Sequence, residues 1–332
     1  MTAKRLGRQT VALSDPVSVL SFANIGGKQE ARGPLAGYFD ELNPDAYFGQ
    51  KSWEKGESAM QQFALSRAME KGGIIAEEVD CVLAGDLLNQ CIGTSFGLRD
   101  FKIPFYGLYG ACSTMGESLS LAALLIDGGF ASIVAAMTSS HFCTAERQYR
   151  MPVLYGNQRT PTAQWTATAS GCCILSRRGD GPYITHVTCG RIVDLGIKDA
   201  NNMGAAMAPA AYDTLSAVLR ETHTTPEDYD LILTGDLGEL GRDIVADFFG
   251  RTESTWADAT PTAACCSMTG RSRICTPGPP AAAARRRCSA AMSWEECGPA
   301  AGKRSSLPLP GRCSRPPRPF RGRAFPASAT RW

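Results

Sequence analysis

One short sequence occurs twice in this chain, 150 residues apart. Asp80-Cys-Val-Leu-Ala-Gly-Asp-Leu87 and Asp230-Leu-Ile-Leu-Thr-Gly-Asp-Leu237 are identical at five of eight positions. Each copy contains an apolar run that predicts a β-strand, and each follows a segment with helical periodicity, residues 52–72 and 203–221. A duplicated helix–strand context predicts two related α/β halves.

The sequence around the first copy continues the alternation of helices and strands. Ser52 is a candidate N-cap and Gly72 a stop for the first helix. Strands are predicted at 79–84, 104–109 and 131–137, with a helix at 113–127 between the last two. We therefore predict a sheet with helices packed against it, and a junction between the halves at 176–182.

Charge is unevenly distributed along the chain. The formal net charge is only +2. Residues 271–332, however, carry twelve Arg and one Lys against two acids, together with ten of the 20 prolines. Residues 1–270 hold 21 basic and 30 acidic side chains. Residues 271–332 therefore differ from the rest of the chain in charge and proline content and form a separate region.

Composition also argues against several classes of protein. We expect no signal peptide, because Met1–Thr10 is polar and basic. The most apolar stretch, 119–137, is interrupted by Asp127, Gly128 and Gly129, so no transmembrane segment is predicted. Seven of the 13 cysteines lie before residue 260, in apolar segments without a CxxC pair, which indicates buried reduced thiols. The three histidines are far apart in sequence, and we predict neither a metal site nor a cofactor.

The sequence Gly110-Ala-Cys-Ser113 joins a predicted strand to a predicted helix. This arrangement places Cys112 at a helix N-terminus, where the helix dipole and free N–H groups favour a thiolate and lower its pKa. The small residues Gly110 and Ala111 leave room for another molecule to approach. Cys112 is therefore a candidate nucleophile or pocket residue, whereas an isolated cysteine is more often structural.

Cysteine acyl transfer also needs a base and oxyanion donors. His141 follows a predicted strand and is a candidate for the same edge of the sheet as Cys112. As a bare observation, a histidine in this position is more often a polar loop residue. The sequence of the second half shows no further Cys/His pair that could be reactive.

Ten motifs lie between Gly33 and Leu237, within a stretch of similarity to one family that covers residues 8–260 nearly without gaps. They are Gly33–Asp40, Gln50–Glu54, Leu83–Gln90, Gly110–Thr114, Asp127–Ala131, Thr138–His141, Thr144–Arg150, Asp194–Ile197, Met203–Ala211 and Leu233–Leu237. In these motifs the chain resembles the stage V sporulation protein AD family. The resemblance implies an α/β, thiolase-like fold of duplicated αβαβα layers, which agrees with the internal repeat.

The resemblance also implies a function. The family binds pyridine-2,6-dicarboxylate (dipicolinate), usually with Ca²⁺, and works with other stage V sporulation membrane proteins to load it into the developing spore. It implies a peripheral location on the cytoplasmic face of the spore inner membrane, no enzyme activity, and a homodimer, since thiolase-fold proteins are commonly dimers.

Four site residues follow from the same resemblance. It implies that Cys112 and His141 face the ligand pocket. It implies that Arg147 and Arg150 balance the dianion through charge-assisted hydrogen bonds. A solvated or structural pair in a loop is an equally good interpretation of the two arginines.

After about residue 260 the chain departs from the family. The family continues with an Asp-Cys-Gly segment and a Gly-Cys-Gly-Cys-Ser turn, whereas this chain has an Arg/Pro/Ala run. Codons can be chosen for residues 261–332 so that translation from the third base of each codon gives both the Asp-Cys-Gly segment and the Gly-Cys-Gly-Cys-Ser turn. We therefore predict a frameshift near residue 260, from a sequencing error or a pseudogene.

This interpretation sets three regions. Residues 1–178 form a first thiolase-like half, 179–260 a partial second half, and 261–332 an out-of-frame, disordered basic tail. The second half keeps a strand at 231–234 and loses those that follow, so its sheet is left with unpaired edges. We expect a poorly stable chain with impaired ligand binding.

Two other functions compete with dipicolinate binding. The first is acyl transfer of the thiolase or ketoacyl-synthase type, with Cys112 acylated from coenzyme A or acyl carrier protein. The second is nucleic-acid binding by the arginine-rich tail, which we disfavour. Mass spectrometry after incubation with acyl-coenzyme A separates the first from ligand binding.

Overall fold

The computed structural model describes residues 4–88, 90–149, 166–199, 202–229 and 231–250, and gives the backbone alone for 146–149. The strands are β1 Thr10–Gly26, β2 Glu41–Leu42, β3 Cys81–Asp86, β4 Phe105–Gly107, β5 Ile133–Ser140, β6 Ala169–Ser176 and β7 Tyr183–Thr188. The helices are α1 Trp53–Gly72, α2 Ile92–Leu98, α3 Thr114–Asp127, α4 Phe142–Tyr149, α5 Met203–Thr222 and α6 Gly238–Gly250.

The strands form one mixed sheet. Its order is β2-β1-β6-β5-β3-β4, and β7 also pairs with β1. The pairs β3–β4 and β3–β5 are parallel, whereas β6 runs antiparallel to both β1 and β5. Parallel strands with both faces covered need nearly continuous apolar sequence, and all six residues of β3 are buried.

Helices cover the two faces of this sheet. Side chains of β3 alternate between them, because successive residues of a strand point to opposite sides. Val82 and Ala84 pack with the α1 residues Ala64, Leu65 and Ala68. On the other face β3 packs with α3, in a cluster that includes Cys81, Leu83, Ala122, Ala123 and Ile126. The result is an αβα arrangement, which confirms the predicted sheet with helices packed against it.

The internal repeat is reproduced in the backbone. Helices α1 and α5 each have 20 residues and begin and end 150 positions apart. Ser52 and Asn202 cap them, accepting hydrogen bonds from the amides of Lys55 and Ala205. Both helices end in a left-handed residue and are followed by a 3₁₀ turn, 76–78 or 226–228. The duplicated fold is thus confirmed for the helix and turn of each unit.

One predicted element is wrong. Residues 231–234 do not form a strand, and only Thr234 takes part in an isolated bridge. A β-strand is stabilised by backbone hydrogen bonds to neighbouring strands. Its counterpart β3 has β4 and β5 on its two sides, but among the described residues of the second half no named strand flanks 231–234. There, α5 and α6 pack together around Leu215, Ile232 and Phe249.

A glutamate joins the two halves. The Glu221 carboxylate, at the end of α5, accepts hydrogen bonds from the backbone amides of Arg8, Gln9 and Thr10 at 2.7–3.3 Å. Burial alone would raise the pKa of Glu221, but a hydrogen bond from the Thr10 side chain and those from the three amides outweigh it, and the pKa is lowered. The start of β1 is therefore anchored to the second half. β7, beyond the predicted junction, pairs with β1.

Candidate functional site

The candidate site lies at one edge of the sheet. β3, β4 and β5 are parallel, so their carboxyl ends meet at that edge. The connection after β4 carries Cys112, and the one after β5 carries His141. β3 ends there with Asp86, which is almost fully buried. Ligand sites of open α/β sheets are commonly found at such edges.

A tight turn, residues 110–113, presents Cys112 at the start of α3; we call it the Cys112 turn. Ala111 has a positive φ of 49°, and the Ser113 hydroxyl donates to the Gly110 carbonyl at 3.0 Å. A Cβ on Gly110 would lie 2.5 Å from a Glu117 carboxylate oxygen. A larger residue at 110 would therefore displace the Glu117 side chain, and the turn leaves Cys112 exposed.

The expected lowering of the Cys112 pKa is wrong. Although solvent reaches this side chain, the surrounding protein atoms desolvate it. This desolvation, followed by the charge of Asp236, raises the pKa of the thiol. Together these effects outweigh the lowering effect of the backbone hydrogen bond at Cys112. The thiol is therefore held in its protonated form at neutral pH.

Asp236 belongs to the second copy of the repeated sequence. The amide of Gly238 donates to its Oδ1 at 3.1 Å, and its charge acts on Cys112. The second half therefore contributes to the surroundings of the Cys112 turn. Sequence reasoning identified the repeat but not this proximity, which depends on how the halves pack.

His141 is buried rather than exposed in a loop. Its Nε2–H donates to the Ala46 carbonyl at 2.7 Å, and its Nδ1 accepts from the Cys143 amide at 3.2 Å. Desolvation by burial lowers the pKa of His141, against the opposing effects of the Ala46 bond and the charge of Glu54. The ring is thus a neutral Nε2–H tautomer with both nitrogens engaged. Among the described residues no hydrogen bond joins it to Cys112.

The two arginines are placed less fully. Arg147 is on α4, and its side chain lies outside the described part of the structure. Arg150 lies outside the described residues altogether. The shared pocket of Cys112, His141, Arg147 and Arg150 therefore stays a prediction.

Sequence reasoning missed a buried polar network beneath the same edge. Gln61 Nε2 donates to Ser139 Oγ at 2.6 Å and to Thr94 Oγ1 at 2.9 Å. Ser139 Oγ donates onward to Glu57 Oε1 at 2.8 Å, and Thr94 Oγ1 to Asp86 Oδ2 at 3.1 Å. All five residues are buried. One sequence signal was available, since Glu57 and Gln61 are polar residues at i, i+4 on the buried side of α1.

Two absences can be stated for the part of the chain that the structure describes. No three His, Cys, Asp or Glu side chains there are close enough together to hold a metal ion. No helix there combines the length and apolar character needed to cross a membrane.

Similarity to solved structures defines the class of fold. An OleA variant from Xanthomonas campestris has a TM-score of 0.52 and 12% identity, over 78% of this chain and 87% of that chain. FabH, the 3-oxoacyl-(acyl carrier protein) synthase III of Xanthomonas oryzae pv. oryzae, has a TM-score of 0.50 and 12% identity, over 72% and 82%. At this identity the likeness concerns the fold alone. It is the thiolase-like fold, as predicted.

Similarity in sequence defines the family. The sequence model of Stage V sporulation protein AD (SpoVAD) matches residues 7–268. Stage V sporulation protein AD of Bacillus subtilis (strain 168) is 43% identical over 244 residues, which are 74% of this chain and 72% of that protein. The chain belongs to the stage V sporulation protein AD family, as its motifs predicted.

Proposed function

We propose that this chain is a sporulation protein that binds dipicolinate at the Cys112 turn without transforming it. The observation that carries the proposal is the state of the two groups that an acyl transferase would need. The Cys112 thiol is exposed but disfavoured as a thiolate, and His141 has no free ring nitrogen. Without a thiolate or a base, the site is better suited to binding than to nucleophilic attack.

The Cys112 turn has donors for an anionic ligand. α3 is a helix of 14 residues that begins directly after the turn, and a helix N-terminus presents N–H groups and a partial positive charge. A protonated thiol adds a weak donor. Arg147 and Arg150 are the proposed partners of the two ligand carboxylates.

Two carboxylates near the turn bear on the ligand's form. Asp236 acts on Cys112, and Glu117 stands beside Gly110. Like charges in a desolvated site repel strongly, so a bare dianion is disfavoured there. The calcium complex, in which the metal offsets the ligand's charge, is the form we propose.

Titration calorimetry tests this function. We expect heat of binding when dipicolinate is added with Ca²⁺, and much weaker binding without it. Isophthalate, which lacks the ring nitrogen that helps to chelate calcium, is the matched ligand control. Cys112→Ala should weaken binding by at least about tenfold, roughly 1.4 kcal/mol. Cys189→Ala removes another exposed cysteine and should leave binding unchanged.

We also propose that the reading frame shifts near residue 260. The end of the family match at residue 268 supports this. The titration is therefore made on two proteins, one with the printed sequence and one with the reading frame restored. The chain with its frame restored should bind, and the chain as written should bind more weakly or not at all. Equally tight binding by both proteins would contradict the proposed frameshift. The absence of binding by both would contradict dipicolinate as the ligand.

The competing function is acyl transfer by Cys112. The position of the thiol at the start of α3 is the observation in its favour. A stable adduct on Cys112 after incubation with acyl-coenzyme A, absent from Cys112→Ala, would favour the enzyme over our proposal. We expect no adduct, since a protonated thiol is a poor nucleophile.

For the setting of the protein, we propose a peripheral position on the cytoplasmic face of the spore inner membrane, with other stage V sporulation membrane proteins as partners. We also propose a homodimer. Sedimentation velocity tests the dimer. Flotation with vesicles that contain or lack the membrane partners tests the association.

A further inference from the structure

Two buried carboxyl groups share the polar network beneath the candidate site. Glu57 and Asp86 are each about 1% exposed. They are connected through Gln61, whose amide donates to one hydroxyl on each side. The negative charge of Asp86 disfavours ionisation of the buried Glu57. A network of this kind is suited to holding a proton.

Glu57 also holds the chain on both sides of His141. Its Oε1 accepts from Ser139 Oγ at 2.8 Å, and its Oε2 accepts from Thr144 Oγ1 at 3.2 Å. Ser139 is near the end of β5, and Thr144 is in the first turn of α4. We call residues 139–144 the β5–α4 corner. One side chain of α1 therefore fixes both ends of this corner.

The Thr144 hydroxyl has one proton and two acceptors. Besides Glu57 Oε2, the carbonyl of His141 lies 2.9 Å away. With Glu57 ionised, the two oxygens compete for that proton. A protonated Glu57 donates to Thr144 Oγ1 instead, and Thr144 then donates to the His141 carbonyl. The protonated form satisfies every group in this chain, whereas the ionised form does not.

The charges around Glu57 favour the protonated form. Burial, followed by the charges of Asp86 on β3 and Glu54 on α1, raises the pKa of Glu57 to about 7, against the hydrogen bonds from Ser139 and Thr144. Gly93 of α2 lies against its side chain without a charge.

β1 and β6 contribute no charge that would offset those of Asp86 and Glu54 to the core that they form with α1. Their buried residues in this core are Ala23, Cys172 and Ile174. Cys172 is neutral there, because burial raises the pKa of its thiol well above the usual value.

We propose that Glu57 is a positioning residue that takes up one proton near neutral pH and thereby fixes the β5–α4 corner, so that the order of the candidate site depends on pH. The effect on dipicolinate affinity rests on the function proposed above, but the effect on the corner does not. The direction of the pH dependence follows from the linkage between proton binding and folding. A carboxyl whose pKa is raised on folding stabilises the fold fully below its unfolded pKa, and that contribution is lost as the pH rises through about 7.

Amide hydrogen exchange of the full chain tests the proposal without any ligand. The reporter is the Ala145 amide, which donates to the His141 carbonyl across the corner. Its protection factor, corrected for the intrinsic pH dependence of exchange, should fall by about tenfold between pH 6 and pH 8.5, as for about one pKa unit of coupling. Glu57→Gln is neutral at every pH and can donate to Thr144, so its protection should stay high and flat.

Two further variants separate the mechanism from general damage. Glu54→Gln removes a carboxylate one turn earlier on the same helix and should keep the response, with a slightly lower midpoint. Thr144→Val removes the relay and should give low protection at both pH values. A wild-type response that persists in Glu57→Gln, or no response in the wild type, would overturn the proposal.

Infrared titration of the wild type covers the case in which Glu57→Gln does not fold. A protonated carboxyl that titrates between pH 6 and 8 supports the proposal, and its absence contradicts it. Dipicolinate binding, measured separately at both pH values, decides the function. A corner that responds to pH in a chain that binds no dipicolinate refutes only the proposed function.

Discussion

The two copies of the repeated sequence have nearly the same residues and different structures. In the first copy β3 lies between two parallel strands, and Asp86 is buried with the Thr94 hydroxyl as one of its donors. In the second copy residues 231–234 are not a strand, and the charge of Asp236 acts on Cys112. Local sequence therefore forms a strand only where neighbouring strands provide its hydrogen bonds.

The glycines of the two copies show the same contrast. A Cβ on Gly85 would lie 2.1 Å from the Leu108 carbonyl oxygen, because β3 and the chain after β4 approach closely there. A Cβ on Gly235 would lie within 4 Å of no atom of the described residues. Packing requires the glycine at 85, whereas no described residue restricts the side chain at 235.

Restoring the reading frame after residue 260 should have the largest effect. If the segment from the other frame provides the missing strands, the amides of 231–234 should become protected against hydrogen exchange. We expect a gain of more than about a thousandfold, on the order of 4 kcal/mol, while β3 changes little. Unchanged exchange at 231–234 would contradict the idea that the slipped frame removes the strands that would flank this segment.

Alanine at the paired glycines should distinguish the copies next. Gly85→Ala forces a methyl group into a backbone carbonyl and should lower the free energy of unfolding by about 3 kcal/mol. Gly235→Ala should have no effect or stabilise by about 0.5 kcal/mol, because it restricts the unfolded chain. Urea denaturation measures both. Equal losses at the two positions would mean that the second copy is as tightly packed as the first.

Glu221→Gln tests the link between the halves. Removing the charge that three backbone amides share should cost about 2 kcal/mol. The Glu221 pKa is lowered on folding, so its contribution is present above the unfolded value and is lost as the pH falls through the folded value. The difference between wild type and variant should therefore shrink in acid. Glu70→Gln, at an exposed pair with Arg67, is the control and should cost almost nothing.

The helix caps should give the smallest and most nearly equal effects. Ser52→Ala and Asn202→Ala each remove the acceptor for one amide in the first turn, at Lys55 and Ala205. Each should cost about 1 kcal/mol by thermal or urea denaturation. A much smaller loss at Asn202 would indicate that α5 is not part of the same cooperative unit as α1.

Much of the architecture was predictable from the sequence. The predicted helix at 52–72 is α1 within one residue, and the one at 113–127 is α3. The three strands predicted in the first half exist with shifted ends; the one expected at 79–84 runs from Cys81 to Asp86. Residues before Cys81 serve instead as a connection, in which Asp80 accepts hydrogen bonds from the amides of Ser132 and Ile133.

The candidate site was less predictable. The position of Cys112 before α3 was correctly expected, but the direction of its pKa was not. His141 was expected at the right edge of the sheet, but its burial and its bond to Ala46 were not. Glu57 was not singled out as a site residue, and Asp236 was recognised only as part of the repeated sequence.

By itself the sequence determined the duplicated helices, their caps and the family to which the chain belongs. These depend on hydrogen bonds between residues a few positions apart and on motifs read directly from the chain. Tertiary structure decided whether a copy of the repeat became a strand, and which carboxyl group lay beside Cys112. It also decided which glutamate was buried. Strand partners, desolvation and nearby charges come from residues distant in sequence, so only their packing sets them.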